Sequence, residues 1–558
     1  MSLDTYNFAD VWEAVSDRVP DRVAVHCDGV DLTYAELEAR SNRLAHVLAD
    51  AGVEAGRHVG LYLMNGPTYF EAMLACFKIR AVPININYRY VEGELRYLFE
   101  DADLVALIAH RRFADRVEVV APLVSSIRSV ISVGEPGTAA GGGSPPAGTI
   151  DDGTIDYGTI DYEAALATAS AERDFGERSG DDRYVIYTGG TTGMPKGVVW
   201  RQEDAFFACI GGGDPMRMNG PVETPAEVLD RIIDFDFVAF PLAPMMHAAA
   251  QWTSLSWLYC GAKVVMHAGS FDPVVTWQAV ADLKVATLIV VGDAMVRPLV
   301  DAWDSHGPFD TSSLFAVGSG GAPLTPALKE RLMAILPTTM VTDGFGSSET
   351  GAQGSQRLKP GDSTGGATRF VPMADTTTVL DDEHRVVAPG SGVVGRVALR
   401  GRIPLGYHND PEKTAATFVE SVGVRWVLTG DMASVDDDGT ILLLGRGSQT
   451  INSGGEKIHP EEVEAALKAN PVVYDAVVVG VPDDRFGERV CAVVQPVVGA
   501  SAPTLDAISE HCRTHLAGYK VPRELVVVDE LVRSPVGKAD YRWALATALS
   551  ALGRVDDG

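Results

Sequence analysis

The N-terminal part of the chain alternates between two kinds of hydrophobic spacing. Between residues 30 and 52, the apolar side chains Leu37, Leu44 and Leu48 recur at helical spacing, and the pattern stops at a glycine. The short apolar run HVGLYLM follows, then a second helical stretch, PTYFEAMLACFKIRA, and then the strand-like VPININY. Strands that alternate with helices in this way predict a parallel sheet with helices packed on its faces.

The same alternation returns between residues 237 and 351. The segments TLIVVGD, FAVGSGG and MVTDGFG have the pattern of strands that end in small residues. Ligands of open α/β sheets bind outside the carboxyl ends of the strands. These three strand ends therefore predict one edge of a binding site.

The pattern of the sequence changes near Asp431. The segment LTGDMASVDDDGTILLLGRG predicts a β-hairpin that turns at Asp438 and Gly439. Further on, PEEVEAALKAN predicts a helix with Pro460 at its first position and acidic residues in its first turn.

The C-terminal segments are shorter than those before them. DAVVVGV and RVCAVVQPVV predict strands, and residues 503–516 predict another helix. We therefore place a domain boundary near residues 446–449, between a domain of residues 1–446 and one of residues 447–558.

Composition restricts the possible partners. The chain has 558 residues and a formal net charge of −29, from 46 Lys and Arg against 75 Asp and Glu. Such an acidic chain repels phosphate backbones and anionic lipid, so we expect neither a nucleic-acid partner nor a membrane-surface role. The hydrophobic fraction of 46% fits a folded protein, and the length fits three or four folding units.

Three features of the sequence bear on localisation. The N-terminus has neither the basic start nor the apolar run of a signal peptide. The longest apolar stretch, residues 237–266, is interrupted by prolines and polar residues, so no membrane span is expected. Six cysteines without any CxxC pair indicate free thiols in a reducing compartment. We expect a cytoplasmic protein.

A biased segment covers residues 134–162. GEPGTAAGGGSPPAG is rich in Gly, Pro and Ala and predicts a loop. The five-residue units GTIDD, GTIDY and GTIDY follow in tandem from Gly148 to Tyr162. Three units are too few for a solenoid, so we interpret them as a surface hairpin or loop expansion.

A Gly- and Thr-rich loop, YTGGTTGMPKG at residues 187–197, is the strongest local signal. Glycines allow backbone N–H groups to turn towards an anion, and the hydroxyls of Thr188 and its neighbours add donors together with Lys196. These groups suit a polyphosphate. The spacing is not that of a P-loop, because the lysine follows a proline and precedes a glycine.

This loop resembles the signature loop of the adenylate-forming superfamily, which contains acyl-CoA synthetases, peptide-synthetase adenylation domains and beetle luciferases. Further segments resemble the other signatures of that superfamily in the expected order: GSGGAP at residues 318–323, DGFGSSE at 343–349, GY at 406–407 with PEKT at 411–414, LTGD at 428–431, GR at 445–446 and PVGK at 535–538. The matches extend over about residues 30–545, nearly the whole chain.

The resemblance implies a nucleotide site. Phe345 stands where tyrosine is common and Ser348 where threonine is common, so a π-face and a hydroxyl are both retained. Asp431 is expected to bind the ribose hydroxyls. The full set of residues expected to bind ATP or AMP is Thr188, Gly189, Gly190, Thr191, Thr192, Lys196, Gly320, Gly321, Ala322, Asp343, Gly344, Phe345, Gly346, Ser347, Ser348, Asp431, Arg446 and Lys538.

The resemblance also implies the chemistry. A carboxylate attacks the α-phosphate of ATP, and Lys538, Thr188 and Glu349 are the expected catalytic residues, with Glu349 as the Mg²⁺ ligand. Coenzyme A then attacks the acyl-adenylate after the small domain rotates. The residues expected to line the CoA tunnel are Ser453, Gly454, Gly455 and Lys457. Ser448 occupies the hinge position, where the family usually has Asp or Lys, and this departure bears on the rate of rotation.

The acyl substrate is expected near PMMHAAAQW, residues 244–252. Peptide-synthetase domains place an aspartate in this region and none is present, so an amino-acid substrate is not expected. His247, Ala249 and Gln251 are the expected acyl-site residues, and the alanines suggest room for a long or bulky apolar acid. TGGTTGMPKGVVWRQED and GRGSQTINSGGEKIHPEEVE are most similar to actinobacterial fatty-acid and sterol side-chain CoA ligases.

The implied fold is α/β. It has a large N-terminal domain of βα sheets with a β-barrel-like subdomain, and a small mobile α+β C-terminal domain. Two alternatives to the CoA ligase stay open at this level, a fatty acyl-AMP ligase that loads a carrier protein and a non-catalytic adenylate-binding protein. Many relatives form dimers, and no sequence feature decides whether this chain does.

Overall fold

The structure is a computed structural model that describes residues 3–134, 158–190, 193–359, 361–362, 369–453, 456–483, 486–533 and 538–553. The helices of this part of the chain are α1 (Phe8–Arg18), α2 (Tyr34–Asp50), α3 (Pro67–Lys78), α4 (Glu92–Asp101), α5 (Ala114–Val120), α6 (Tyr162–Thr168), α7 (Gln202–Ala208), α8 (Ala248–Leu258), α9 (Pro273–Asp282), α10 (Gly292–His306), α11 (Pro326–Ile335), α12 (Pro411–Thr417), α13 (Pro460–Lys468), α14 (Leu505–Arg513) and α15 (Tyr541–Ala551).

The strands of the same part of the chain are β1 (Val23–Cys27), β2 (Val30–Thr33), β3 (His58–Tyr62), β4 (Val82–Asn85), β5 (Leu104–His110), β6 (Ser129–Val133), β7 (Gly158–Asp161), β8 (Arg183–Gly190), β9 (Gly193–Arg201), β10 (Val238–Pro241), β11 (Lys263–Met266), β12 (Thr287–Val290), β13 (Ala316–Gly320), β14 (Met340–Ser347), β15 (Gly351–Leu358), β16 (Arg369–Pro372), β17 (Thr377–Leu380), β18 (Gly395–Arg400), β19 (Gly406–Tyr407), β20 (Phe418–Ser421), β21 (Val424–Val435), β22 (Ile441–Arg446), β23 (Ile451–Ser453), β24 (Glu456–Ile458), β25 (Val473–Asp483), β26 (Gly487–Pro496) and β27 (Glu524–Val527).

The first predicted sheet is confirmed. Strands β4, β3, β5, β6 and β7 lie in that order, and each neighbouring pair is parallel. Helix α2 begins where its sequence predicts, because Thr33 and Glu36 form a reciprocal capping box at its N-terminus. Helix α3 begins with a proline at its first position.

The second predicted sheet is confirmed as well. Strands β10, β12, β13 and β14 are parallel neighbours, so their carboxyl ends lie along one edge. The sheet continues through the antiparallel strands β15, β16, β22, β21, β18 and β17. These antiparallel strands form the β-rich part of the large domain, and the hairpin of β21 and β22 turns at the predicted position.

The C-terminal part forms its own mixed sheet. Its strand order is β24, β23, β26 and β25, with β27 parallel to β26. Helix α13 has Pro460 in its first turn, as its sequence predicts. A short 3₁₀ turn, Gly447–Gln449, connects β22 to β23, and the domain boundary at residues 446–449 stays a prediction.

The third GTIDY unit is not a loop, and our interpretation of it was wrong. Gly158–Asp161 forms β7 and pairs in parallel with β6. Asp161 accepts a hydrogen bond from the backbone N–H of Ala164 and so caps α6, and Tyr162 is buried at the start of that helix. The first two units lie outside the described residues.

Among the described residues, no helix is long and apolar enough to cross a bilayer. The largest buried cluster includes Trp12, Tyr34, Phe70 and Trp200, so one core joins the N-terminal helix to strands of different sheets.

A buried ion network lies beside this core. The ammonium of Lys78 contacts a carboxylate oxygen of Glu13 at 2.7 Å and one of Glu38 at 2.8 Å, and its side chain is completely buried. Arg178 and Arg173 contact the same two carboxylates. Because a buried charge without its partner is costly, this network fixes how α1, α2 and α3 pack together.

Substitution Lys78→Met is expected to destabilise the large domain by about 3 kcal/mol, because two buried carboxylates lose a shared cation. Thermal unfolding followed by circular dichroism would measure the loss as a lower first transition. Lys284→Met is the control, because its pair with Asp310 is exposed to solvent and is expected to contribute little to stability. Equal transitions for both variants would contradict a stabilising role of the network.

Candidate functional site

The Gly- and Thr-rich loop lies at the tip of the β8–β9 hairpin. Thr188 is opposite Lys196 in the register of these two strands, and Gly189 and Gly190 end β8. Thr191 and Thr192 lie outside the described residues. The hairpin therefore presents the Thr188 hydroxyl and the Lys196 ammonium at the same end.

A third strand extends this hairpin. Strand β19 pairs antiparallel with β9, so that Tyr407 lies opposite Val198. The Tyr407 hydroxyl donates to Oε1 of Glu349 at 2.9 Å. Trp200 on β9 donates from its indole nitrogen to the carbonyl oxygen of Ser348 at 3.0 Å. The three-stranded sheet thus holds the acidic residue of the DGFGSSE segment beside the hairpin.

The lysine of the loop already has an acidic partner. The Lys196 ammonium contacts a carboxylate oxygen of Asp410. The other oxygen of this carboxylate accepts a hydrogen bond from the backbone N–H of Lys413 at 2.8 Å and caps α12. Because both contacts favour the charged form, they hold the pKa of Asp410 below its ordinary value.

Asn85 joins the hairpin to the segment that carries His247. Its side-chain amide donates to the carbonyl oxygens of Tyr187 at 2.8 Å and Met246 at 2.7 Å. Its side-chain oxygen accepts from the Tyr187 backbone N–H at 2.8 Å. The amide therefore pairs with Tyr187 as a neighbouring strand would, while it also holds the residue before His247. Asn85 itself is buried at the end of β4.

His247 is the N-cap residue of α8, and its Nε2 atom is buried with no hydrogen-bond partner among the described residues. Burial, together with the nearby positive charges of Lys538 and Arg89, lowers the pKa of His247 to about 3. The imidazole is therefore neutral at physiological pH. Lys538 is itself exposed, and its positive charge contributes to the lowered pKa of His247.

Ala249 and Gln251 follow on α8. Ala249 is half-buried. The Gln251 amide accepts from the Tyr184 hydroxyl at 2.8 Å and donates to the Met245 carbonyl oxygen at 2.9 Å and the Tyr69 hydroxyl at 3.3 Å. These three contacts, and an exposure of 2%, hold Gln251 inside the protein core.

The small-residue segment lies at the predicted strand ends. Gly320 ends β13 and pairs with Gly344 on β14. The Phe345 ring packs against Phe370, with centroids 5.1 Å apart. A Cβ atom on Gly346 would stand 2.1 Å from the carbonyl oxygen of Gly351, so no larger residue fits that turn. Gly321 and Ala322 follow β13, and Ser347 ends β14.

Asp343 is placed differently from its neighbours in the same segment. Its carboxylate is buried and contacts the Lys329 ammonium at 2.7 Å. Burial raises the pKa of Asp343 to about 6, although the lysine opposes this shift. The contact anchors β14 to α11.

The remaining predicted residues lie on β21, β22 and the small domain. Asp431 is directly opposite Arg446 in the β21–β22 register. Ser448 lies in the 3₁₀ turn that follows, and Ser453 and Lys457 lie on the paired strands β23 and β24. The side chains of Arg446, Ser448 and Lys457, and all of Gly454 and Gly455, lie outside what the structure describes.

Three residues that shape this site were not predicted from the sequence: Asn85, Tyr407 and Asp410. Tyr407 stands in the GY segment, which was identified without a role for it, and Asp410 directly precedes PEKT. Asn85 had no local signal except its position after a short apolar strand.

Profiles of two families match the chain. One, described as AMP-binding enzyme, matches residues 12–408, and the other, AMP-binding enzyme C-terminal domain, matches residues 462–538.

The chain is also similar to named proteins. It is 48% identical over 543 residues to a 3-oxocholest-4-en-26-oate–CoA ligase of Rhodococcus rhodochrous, covering 96% of this chain and 95% of that one. It is 47% identical over 543 residues to a medium/long-chain-fatty-acid–CoA/3-oxocholest-4-en-26-oate–CoA ligase of Mycolicibacterium smegmatis, covering 96% of each chain. A crystal structure of the anthranilate CoA ligase AuaEII in complex with anthranoyl-AMP superposes with a TM-score of 0.83, at 22% identity and 99% coverage of both chains, and supports the fold alone.

The His247 imidazole is expected to stay neutral from about pH 4 to pH 8, whereas an ordinary histidine titrates near 6.5. Its lowered pKa means that it contributes stability above the ordinary pKa, and this contribution is lost as the pH falls towards about 3. Nuclear magnetic resonance of ¹⁵N-histidine-labelled protein would test this, with His247→Phe to assign the signal. Lys538→Ala should raise the pKa of His247, because it removes a positive charge that lowers that pKa. Titration near pH 6.5 in the unmodified protein would contradict the burial of this ring.

Substitution Asn85→Asp is expected to loosen the site, because a carboxylate would face two carbonyl oxygens that now accept hydrogen bonds. We expect a loss of about 1–3 kcal/mol, concentrated in residues 185–190 and 244–248. Hydrogen–deuterium exchange of these peptides would measure it. Asn87→Asp is the matched control, because the Asn87 side chain bonds its near neighbours Arg89 and Tyr90 and not the two segments that Asn85 joins. Unchanged exchange in Asn85→Asp would show that the amide does not hold these segments together.

Proposed function

This chain belongs to the AMP-binding enzyme family, and from this premise we propose how its site carries out acyl-CoA synthesis. It is an AMP-forming acid–thiol ligase, which makes an acyl-CoA thioester from a carboxylic acid, ATP and coenzyme A. The assignment of individual residues to that reaction is our proposal.

One observation carries the proposal. A half-buried, neutral imidazole with a buried, unpartnered Nε2 is influenced by the Lys538 charge and lies on a segment that Asn85 ties to the Gly- and Thr-rich hairpin. A buried polar atom without a partner is costly, so it indicates a ligand atom at that position. We assign that atom to the substrate carboxylic acid, which would then lie between the His247 ring and the Lys538 ammonium.

The first half-reaction joins two anions. A carboxylate oxygen attacks the α-phosphorus of ATP, the bond to the bridging oxygen breaks, and pyrophosphate leaves with the electron pair. Lys538 lowers the repulsion between the two anions by placing positive charge at the reacting phosphate. Thr188, its glycine and threonine neighbours and Lys196 bind the β- and γ-phosphates.

The nucleoside half is assigned to the strand ends. Gly320, Gly321 and Ala322 leave room for a flat ring, and Phe345 offers its face to it. The carboxylate of Asp431 binds the ribose hydroxyls, with Arg446 opposite on β22. Ser347 and Ser348 supply hydroxyls to the phosphates. We assign Asp343 an indirect role in this site, because its carboxylate is already paired with Lys329.

The donor set around Glu349 fits Mg²⁺. Among the described residues, no group of three or more His, Cys, Asp or Glu side chains could hold a metal ion. Mg²⁺ at nucleotide sites is usually bound by one or two carboxylates together with substrate phosphates, so a single carboxylate is enough. Glu349 would hold it, and the Tyr407 hydroxyl orients that carboxylate. When bound, Mg²⁺ supplies positive charge to the polyphosphate.

The second half-reaction uses the small domain. The thiolate of coenzyme A attacks the acyl carbonyl carbon, and AMP leaves with the former carboxylate oxygen. We assign Ser453, Gly454, Gly455 and Lys457 to the path of the thiol, and Ser448 to the hinge about which the small domain turns.

The acid is proposed to be long or bulky and apolar. Both named relatives act on such acids by their names, a steroid acid in one case and medium- or long-chain fatty acids or the same steroid acid in the other. Ala249 contributes little volume, and Gln251 is assigned a supporting role because its amide is engaged within the core. Both relatives are CoA ligases by name, which favours coenzyme A over a carrier protein as the acceptor.

The cellular location and the oligomeric state of the protein are further proposals. All six cysteines are buried and none of them forms a disulfide, which supports the reducing cytoplasm. A homodimer is proposed from the same family resemblance, and light scattering of the purified chain would measure it.

We expect pyrophosphate release with ATP and Mg²⁺ when medium- or long-chain fatty acids, or a steroid with a carboxylated side chain, are supplied. Coenzyme A should convert the product to a thioester detected by mass spectrometry. Lys538→Ala should lower the rate of adenylation by roughly a hundredfold or more, because a preorganised charge at the reacting phosphate is lost.

Aryl acids and short fatty acids form the comparison set of this assay. Thioester formation with aryl acids alone would overturn the proposed substrate class. Adenylate without thioester would indicate a carrier-protein acceptor, and no adenylate with any acid would overturn the ligase assignment.

A further inference from the structure

A line of buried and half-buried charges runs from the small domain into the large one. The guanidinium of Arg533 contacts both carboxylate oxygens of Asp475, at 2.6 and 2.7 Å. The Lys468 ammonium contacts Asp475 at 3.4 Å and, on its other side, Asp293 of the large domain at 3.4 Å. The side chains of Lys468 and Asp293 are only 5% and 9% exposed. None of these groups takes part in the proposed chemistry.

Asp293 is fixed within the large domain. Its Oδ1 atom accepts from the backbone N–H of Thr325 at 2.8 Å and from the Thr325 hydroxyl at 3.2 Å. The glycine before it has a left-handed φ of 52°, and a Cβ atom there would stand 2.4 Å from the Pro323 carbonyl oxygen. The start of α10 is therefore packed tightly on the segment that follows β13, where Gly320, Gly321 and Ala322 lie.

The other end of the line reaches the segment that carries Lys538. Arg533 forms an isolated antiparallel bridge with Ala539, so its backbone and that of Ala539 bracket this segment. Asp475 holds the Arg533 side chain, and Lys468 holds Asp475. Burial alone would raise the pKa of Asp475, but the charge of Lys468 and the hydrogen bonds from Arg533 lower it to about 2. The carboxylate is thus charged throughout the physiological range.

A second contact crosses between the domains at the same place. The Arg297 guanidinium lies over the Tyr474 ring, 4.8 Å from its centroid. Arg297 is one helical turn after Asp293 on α10, and Tyr474 precedes Asp475 on β25. One face of α10 therefore contacts both α13 and β25.

We infer that Lys468 is a positioning residue for adenylation: its contact with Asp293 holds the small domain in the orientation that brings Lys538 to His247. The inference rests on the proposed function, because it concerns the first of the two half-reactions. Arg533 and Asp475 transmit this restraint to the segment of Lys538. The thioester step uses another orientation of the small domain, in which the Lys468–Asp293 contact is broken.

The energetics of the Lys468–Asp293 contact allow it to break and to form again. When the small domain turns, Asp293 keeps two hydrogen bonds from Thr325, and Lys468 keeps its contact with Asp475 in the same domain. Neither Asp293 nor Lys468 is then left without a partner, so the break costs less than the loss of an isolated buried pair. A contact of this kind biases the population of two orientations without locking either.

The test separates the two half-reactions in full-length Lys468→Met and Asp293→Asn. Acid-dependent ATP–pyrophosphate exchange should fall about tenfold or more, which corresponds to about 1.4 kcal/mol of lost preference for the adenylating orientation. Thioester formation from isolated acyl-adenylate and coenzyme A should stay within about twofold of the unmodified enzyme, since Lys468 and Asp293 are apart in that step. Lys520→Met is the matched control. The Lys520 ammonium contacts Glu462, which lies on α13 as Lys468 does, but this contact stays within the small domain.

Hydrogen–deuterium exchange provides a readout that needs no catalysis. Residues 292–297 and 466–475 should lose protection in Lys468→Met and Asp293→Asn, and the double variant should lose no more than either single one. An equal fall in both half-reactions, or a fall in neither, would overturn the inference. If the unmodified protein gives no exchange of pyrophosphate but the two segments lose protection as expected, the contact between the domains stands and the proposed function fails. Unchanged protection overturns the inference whatever the activity.

Discussion

The buried amide of Asn85 is the constraint on which the assembly of the site depends. It supplies the hydrogen bonds of a missing strand to Tyr187 and also holds the carbonyl oxygen of Met246. Buried backbone groups must be paired, so neither segment can move away from the end of β4 without leaving polar atoms unsatisfied. The Gly- and Thr-rich hairpin and the segment of His247, which are proposed to bind polyphosphate and the acid, are in this way held in a fixed relation.

The positive charges of the candidate site oppose the net negative charge of the whole chain. With a net charge of −29, the protein repels anions at long range, yet its proposed substrates are anions. Local cations offset this repulsion only where the fold places them. Lys196 comes from a hairpin tip and Lys538 from the small domain, so the positive field is complete only when the two domains are together. Positioning by buried pairs such as Lys468–Asp293 therefore has a direct electrostatic consequence.

Local patterns predicted the parallel sheets, the hairpin of β21 and β22, and the loop after Tyr187, because spacing and glycine content act over a few residues. The contacts that assemble the site were not predictable in this way. Asn85 meets partners 102 and 161 positions away, and an isolated asparagine gives no signal of either. The third GTIDY unit shows the same limit, because units with nearly identical propensities cannot reveal which one lies beside β6. Pairing with β6 in the folded structure decides that this unit forms a strand.

The contact between Lys196 and Asp410 gives the site an internal competitor. Any anion that binds the lysine must first displace a carboxylate belonging to the protein, which also caps α12. A single small anion gains little from that exchange. In the proposed function, a ligand with several linked phosphates would also gain contacts with Thr188 and its neighbours, which would offset the loss of the internal pair. The acidic partner of Lys196 would then favour a polyphosphate over inorganic phosphate.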